Sequence, residues 1–127
     1  MPGTGAKLIV IIDDNEAVLD SLRDLVESSG FEARCFESAR AFLDSGLHAQ
    51  AAVLIVDIRM PRMSGLELQA RLKEKEWNVP MIFITAFEDE ELRAQAMLEG
   101  AVDFLAKPID HRHLLKILRT ALGARDV

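Results

Sequence analysis

The sequence predicts an α/β fold, a parallel sheet of five strands flanked by helices, and three observations carry that prediction. Apolar runs of strand length alternate with stretches of helical periodicity, the pattern of βαβ units, and five such units can be counted. The run Ala52, Val53, Leu54, Ile55, Val56 is continuously apolar, as in a parallel strand buried on both faces, and it ends on Asp57. A second such run, Leu8 to Ile12 after Lys7, leads straight into Asp13 and Asp14. Open α/β sheets hold their ligands at the carboxyl ends of the strands, so three carboxylates are expected on one edge of one sheet.

The elements follow in order. Residues 1–6 form a Pro/Gly/Thr segment expected to be a disordered tail, and the first strand ends at Ile12. The first helix starts after Asn15, places Val18, Leu22, Leu25 and Val26 on one face, and stops at Gly30. Phe31 to Phe36 reads as the second strand, and Ser38 caps a shorter second helix carrying Phe42 and Leu43. The polar stretch Asp44 to Gln50 leads to the Asp57 strand, which a long loop from Ile58 to about Gly65 follows. The third helix carries Leu68 and Leu72 and runs to about Lys75, before Trp77-Asn78-Val79-Pro80 breaks the pattern. Met81 to Ile84 is the fourth strand. Glu88 to Glu91 open the fourth helix, where acids suit the positive end of the dipole, and Gly100 closes it. Val102 to Ala106 is the fifth strand, and Leu114, Leu115, Leu118 and Leu122 give the last helix its buried stripe, with Gly123 past its end.

Composition narrows the classes of function. A chain of 127 residues that is 50% hydrophobic reads as one domain, here 7–122, with a short tail at 123–127. The net charge of -6 and the lack of a clustered basic face argue against direct contact with nucleic acid. Cys35 is the only cysteine, so no disulfide forms within the chain. With no signal peptide and no apolar stretch near 18 residues, neither membrane insertion nor export is expected, and the cytoplasm is the expected compartment.

The acids need a counter-charge. Two carboxylates about 4 Å apart repel by roughly 4 kcal/mol at an effective dielectric near 20, so the cluster calls for a cation or shifted pKa values, and hard oxygen ligands suit Mg²⁺. Thr85 ends the fourth strand and Lys107 the fifth, each after an apolar run, which adds a hydroxyl and an ammonium to the same rim. A carboxylate can attack a phosphoryl centre to form an aspartyl phosphate, with positioning and charge stabilisation left to its neighbours. Asp57 is the candidate nucleophile, Asp13 and Asp14 the metal holders, Lys107 a point charge for phosphoryl oxygens and Thr85 a hydrogen-bond donor.

Four motifs, in order, are similar to those of the receiver domain of bacterial two-component response regulators: Val10-Ile11-Ile12-Asp13-Asp14-Asn15, Leu54 to Gly65, Ile84-Thr85-Ala86-Phe87, and Asp103-Phe104-Leu105-Ala106-Lys107-Pro108. The resemblance runs from Lys7 to Leu122. It implies a single doubly wound, flavodoxin-like sheet in the order 2-1-3-4-5. It also implies that Asp57 is the phosphoacceptor, that Asp13, Asp14, Asp57 and the Arg59 backbone carbonyl ligate Mg²⁺, and that Lys107 senses the phosphoryl group. Thr85 and Phe104 would be the switch pair, and Lys107-Pro108 a cis bond. The implied partners are a sensor histidine kinase and an effector domain or downstream protein. Self-phosphorylation and self-dephosphorylation, not steady turnover, would be its only chemistry. Stretches such as Asp57 to Gly65 and Glu88 to Lys107 resemble receivers of the FixJ type, which pair through the fourth helix and fifth strand.

Other readings fit the residues less well. An aspartyl-phosphate hydrolase of haloacid-dehalogenase type would place a second Asp two residues after the nucleophile, where this chain has Arg59, which cannot act as a base. Flavin or nucleotide binding would need a Gly- or Ser/Thr-rich cradle after the first strand, and Asp13-Asp14-Asn15-Glu16 would repel an anion. A phosphate-independent interaction module would have no use for the full set of Asp13, Asp14, Asp57, Thr85 and Lys107. Phe104 taken alone reads as a core aromatic, and Cys35 as a small buried filler. His111 and His113 read as surface groups, His48 as a loop residue without a partner, and Met60 and Met63 as loop packing. The runs Lys73 to Glu76 and Glu88 to Glu91 read as solvated faces.

Overall fold

The computed structural model of the chain describes residues 6–123. The tails expected at 1–6 and 123–127 lie outside the described residues, apart from Ala6 and Gly123. Five strands, β1 (Leu8–Ile12), β2 (Glu32–Phe36), β3 (Ala51–Asp57), β4 (Met81–Thr85) and β5 (Asp103–Ala106), alternate with five helices. The helices are α1 (Glu16–Ser28), α2 (Ala39–Ser45), α3 (Gly65–Glu74), α4 (Glu90–Leu98) and α5 (His111–Ala121). The strands pair in parallel in the order β2-β1-β3-β4-β5. This is the flavodoxin-like order the motifs implied.

Alternation along the inner strands sorts the core into two layers. Val10, Ile12, Leu54, Val56 and Phe83 face one way and pack with Phe42 of α2, Leu68 and Leu72 of α3 and Ala96 of α4. Ile9, Ile11, Val53, Ile55, Ile82 and Ile84 face the other way. They pack with Leu19, Leu22 and Val26 of α1 and Leu114, Ile117 and Leu118 of α5. Each fully buried Leu or Ile side chain stabilises by roughly 1.5–3 kcal/mol, so two such layers hold the strand ends rigid enough to carry a repulsive cluster.

Helix starts are set by local chemistry. Asn15, Ser38, Ser64, Asp89 and Asp110 cap the five helices with side-chain oxygens that accept backbone N–H groups. At α3 the cap is reciprocal: Ser64 Oγ accepts from Glu67 N while Glu67 Oε1 accepts from Ser64 N. The acidic run before α4 divides differently from the expectation. Only Glu90 and Glu91 are helical, because the Asp89 carboxylate bonds the amides of Glu91 and Leu92 and ends the loop there. In α5 it is Ile117 that is fully packed beside Leu114 and Leu118, whereas Leu115 and Leu122 are half-buried. The polar stretch after α2 contains a 3-10 turn, Leu47–Ala49.

Candidate functional site

The site is assembled by strand register. Ile12 lies beside Val56, Asp57 beside Ile84, and Thr85 beside Ala106, so the residues that end or follow these strands meet at one sheet edge. Asp13, Asp14, Asp57, Thr85 and Lys107 all stand there. One carboxylate oxygen each from Asp13, Asp14 and Asp57 lies within 4.8 Å of the others. Asp13 and Asp57 are buried and Asp14 is exposed, which leaves the cluster open on one side only.

Each buried acid is held by a short-range backbone contact. Asp13 Oδ1 accepts from the Asn15 amide at 2.8 Å, and Asp57 Oδ1 accepts from the Arg59 amide at 3.1 Å. Both bonds fold the chain back over the carboxylate it has just presented. The remaining oxygens face Lys107, whose Nζ lies 3.0 Å from Asp13 Oδ2 and 3.5 Å from Asp57 Oδ2. Asp13 Oδ2 is fully buried, and the ammonium is its close counter-charge. Lys107 is placed by its own amide, which donates to the Thr85 carbonyl at 2.7 Å, and its peptide to Pro108 is cis.

Charge at the site is out of balance. Burial pushes the Asp57 carboxyl above the usual range, and the Asp13 charge adds to this, with the Arg59 amide and Lys107 opposing. For Lys107 burial acts downward, but Asp13 and Asp57 outweigh it and the ammonium titrates above the ordinary lysine value. One lysine thus faces three acids. The donor set is all hard oxygen and carries more negative charge than the one ammonium offsets, which fits a small divalent cation.

Thr85 stands at the same edge, and Phe104 lies further back along β5. Thr85 is fully buried, and its Oγ1 donates to the Phe87 carbonyl at 2.9 Å and accepts from the Phe87 amide at 3.2 Å. Phe104 is buried with its ring 6.5 Å from that of Phe83, and its carbonyl accepts from the Arg93 guanidinium. Next to Lys107, a shallow cleft of about 290 Å³ runs between α1 and the segment after β5, with Val18, Pro108 and His111 on its walls. A larger groove, about 430 Å³, lies elsewhere, between α3 and the turns that precede β4 and β5. It holds none of these acids.

Some partners escaped the sequence. The Arg59 guanidinium reaches Asp89 Oδ2 at 3.3 Å, so the second acidic run is not wholly solvated. Lys73 likewise pairs with Glu99. His48 does have a partner: its ring stacks on Trp77 with centroids 3.4 Å apart and planes at 5°, because the turn after α2 meets the α3–β4 loop. Cys35 is half-buried rather than buried, since β2 is an edge strand, and burial pushes its thiol up despite Arg23. His111 and His113 are exposed and Met60 is packed, as expected. The signal that could have found the α3 start was Ser64-Gly65-Leu66-Glu67, a capping box in plain sequence.

Comparison with known proteins agrees with this geometry. The profile of the family described as response regulator receiver domain matches residues 9–119. Among relatives, response regulator protein TodT of Pseudomonas putida is 44% identical over 117 residues, which cover 92% of this chain and 52% of that protein. Transcriptional regulatory protein FixJ of Bradyrhizobium diazoefficiens is 38% identical over 114 residues, covering 90% and 56%. The chain therefore spans about half the length of these relatives. Among solved structures, the response regulator StyR superposes with a TM-score of 0.85 at 39% identity, covering 94% of this chain and 61% of that one. FixJ-N gives 0.83 at 34%, covering 94% and 96%.

Proposed function

The chain belongs to the response regulator receiver domain family, and on that premise we propose that it is a phosphorylation switch whose acceptor is Asp57. The observation that carries the proposal is the convergence of Asp13, Asp14 and Asp57 on one edge with Lys107 between the two buried acids. Asp13, Asp14, Asp57 and the Arg59 carbonyl would hold Mg²⁺. When bound, that ion supplies the positive charge that lets an anionic phosphoryl group approach an anionic acceptor.

The chain's own residues do the rest. An Asp57 carboxylate oxygen attacks the phosphorus of a phosphohistidine on a partner kinase, or of a small acyl phosphate. A P–O bond forms to Asp57 as the bond to the donor nitrogen or oxygen breaks, and its electron pair leaves with the donor. The Arg59 amide orients the attacking group, and Lys107 transfers its attraction from the acids to the phosphoryl oxygens. Thr85 exchanges its bond to Phe87 for one to the phosphoryl group, and Phe104 follows the space so changed. The α4-β5-α5 face then differs between the two states, by a free energy of the order of 1–3 kcal/mol.

Met97 and Leu98 are exposed on α4, Leu98 by 83%, which supports a homodimer through that face once Asp57 is occupied. An effector domain or downstream protein would read the change. Contact with nucleic acid belongs outside this domain, in keeping with its charge of -6, and the cytoplasm is the compartment where a kinase partner would be met. Arg59 stands where a hydrolase would need a base, so phosphorylation is stoichiometric rather than a turnover.

The test is intact-mass analysis after acetyl phosphate and Mg²⁺. The wild type should gain one phosphoryl group and Asp57→Asn none. A wild type that stays unlabelled, or an Asp57→Asn variant labelled as strongly, would overturn the reading.

A further inference from the structure

We propose that the Arg59–Asp89 ion pair is a latch on the β4–α4 loop which an anionic group on Asp57 opens; the proposal rests on Asp57 being the acceptor. Arg59 is bound to the site by its backbone, since its amide donates to Asp57 Oδ1 at 3.1 Å. Its side chain leaves that point and crosses to Asp89 Oδ2 at 3.3 Å. Asp89 uses its other oxygen to cap α4, accepting from Glu91 at 3.0 Å and Leu92 at 3.2 Å. One carboxylate therefore ties the loop after β3 to the first turn of α4.

The loop between β4 and α4 is held twice. Near its start the Thr85 hydroxyl grips Phe87, and at its end Arg59 grips Asp89. Both grips use donors from residues at the sheet edge that carries Asp57, and a phosphoryl group would attract both. A guanidinium fork matches the three oxygens of a dianionic phosphoryl group better than one partly exposed carboxylate, so Arg59 is drawn inward. Drawing Arg59 inward takes away the cation that holds the Asp89 carboxylate. A cavity of about 50 Å³ under the loop, with Arg93, Phe104 and Ala106 on its floor, leaves room for rearrangement. Loss of the Asp89 tether releases the amino end of α4.

Coupling of this kind is reciprocal: if loading Asp57 opens the latch, the closed latch must oppose loading, and removing it must strengthen loading. Asp89→Asn is the informative variant, because Asn caps a helix as well as Asp does but carries no charge for Arg59. Glu88→Gln removes the same charge from the same loop without touching the pair. Beryllofluoride binding is measured with saturating Mg²⁺ at low salt. Asp89→Asn should bind about two- to fivefold more tightly than the wild type, the range set by an exposed ion pair, and Glu88→Gln should match the wild type. The advantage of Asp89→Asn should vanish near 1 M salt, where the Debye length is about 3 Å. Hydrogen exchange of residues 86–92 should quicken in the wild type on loading and start quick in Asp89→Asn.

Equal or weaker binding by Asp89→Asn while the wild type loads normally would overturn the latch alone. An equal gain in Glu88→Gln would do the same, since it would reduce the effect to general charge. A wild type that binds no beryllofluoride would overturn the acceptor reading beneath it.

Discussion

Lys107 stands between two acids from distant parts of the chain, and it sits closer to Asp13, at 3.0 Å, than to Asp57, at 3.5 Å. The ammonium is thus biased toward Asp13, leaving the Asp57 carboxylate less neutralised. A new anion on Asp57 gives Lys107 a reason to shift its weight, and the difference between the two pairings is part of the switch.

Lys107→Ala should destabilise the protein in the presence of a chelator, because Asp13 and Asp57 then face each other without a cation. Breaking a fully buried pair costs about 3–5 kcal/mol, and with Lys107 partly exposed a loss of about 1–3 kcal/mol is expected in urea unfolding. Mg²⁺ should restore much of it. The ammonium titrates above its ordinary value in the fold, so its contribution is full below that value and is lost as pH rises through the folded one. The gap between wild type and variant should accordingly narrow only in alkali. Labelling of Asp57 should persist while light scattering finds one oligomeric state with and without beryllofluoride; a variant that still switches would argue against Lys107 as the sensor.

Asp57→Asn should stabilise the metal-free protein. The folded carboxyl titrates above its unfolded value because it is buried beside Asp13, so the native state prefers the neutral form. Below the unfolded pKa, about 3.9, both states are protonated and Asn has no advantage. As pH rises through the folded value the wild type loses stability, and the lead of Asp57→Asn should grow and then level off. Thermal melts from pH 4 to 8 in chelator check this. A lead that shrank with rising pH would contradict the sign.

Gly65→Ala should damage the site from a distance. A Cβ there would lie 2.9 Å from the Asp57 carbonyl oxygen and from Ile58 Cα, and 3.0 Å from the Phe83 ring. Two of these are backbone atoms of the segment that presents the acceptor. Overpacking of this kind costs about 1–3 kcal/mol, and the displaced Asp57 should bind Mg²⁺ more weakly. Calorimetry of Mg²⁺ binding separates this from simple loss of stability; unchanged affinity would show that the strand end does not move.

His48 offers a test remote from the acids. Its ring stacks on Trp77, the only tryptophan, yet its buried Nδ1 has no hydrogen-bond partner. His48→Ala should lose the stack, at about 0.5–1.5 kcal/mol. His48→Phe should keep it and remove the orphan nitrogen, leaving stability equal or higher. Trp77 fluorescence reports both, and phosphorylation of Asp57 should be unaffected. If His48→Phe were as unstable as His48→Ala, the nitrogen would have to be serving a purpose.

Much of the fold was legible because its signals are local. Unbroken apolar runs such as Val53 to Val56 mark strands buried on both faces, and Asn15, Ser38 and Gly30 mark helix ends through the bonds of their own neighbours. The division of the run before α4 was not legible, since Glu88, Asp89 and Glu90 are all acceptable near a helix start. Only the cap geometry of Asp89 distinguishes them. The packing of Ile117 in place of Leu115 depends on the angle at which α5 lies against the sheet.

By itself the sequence determined that acids, a hydroxyl and a lysine terminate successive buried strands, because hydrophobic runs and the polar residues that end them are properties of contiguous chain. Tertiary structure alone decided how these ends meet: that Lys107 favours Asp13, that Thr85 is engaged with Phe87, that Arg59 crosses to Asp89 and that His48 lies on Trp77. Those contacts hang on strand register, sheet twist and rotamers chosen between residues as far apart as Asp13 and Lys107, which no local pattern encodes.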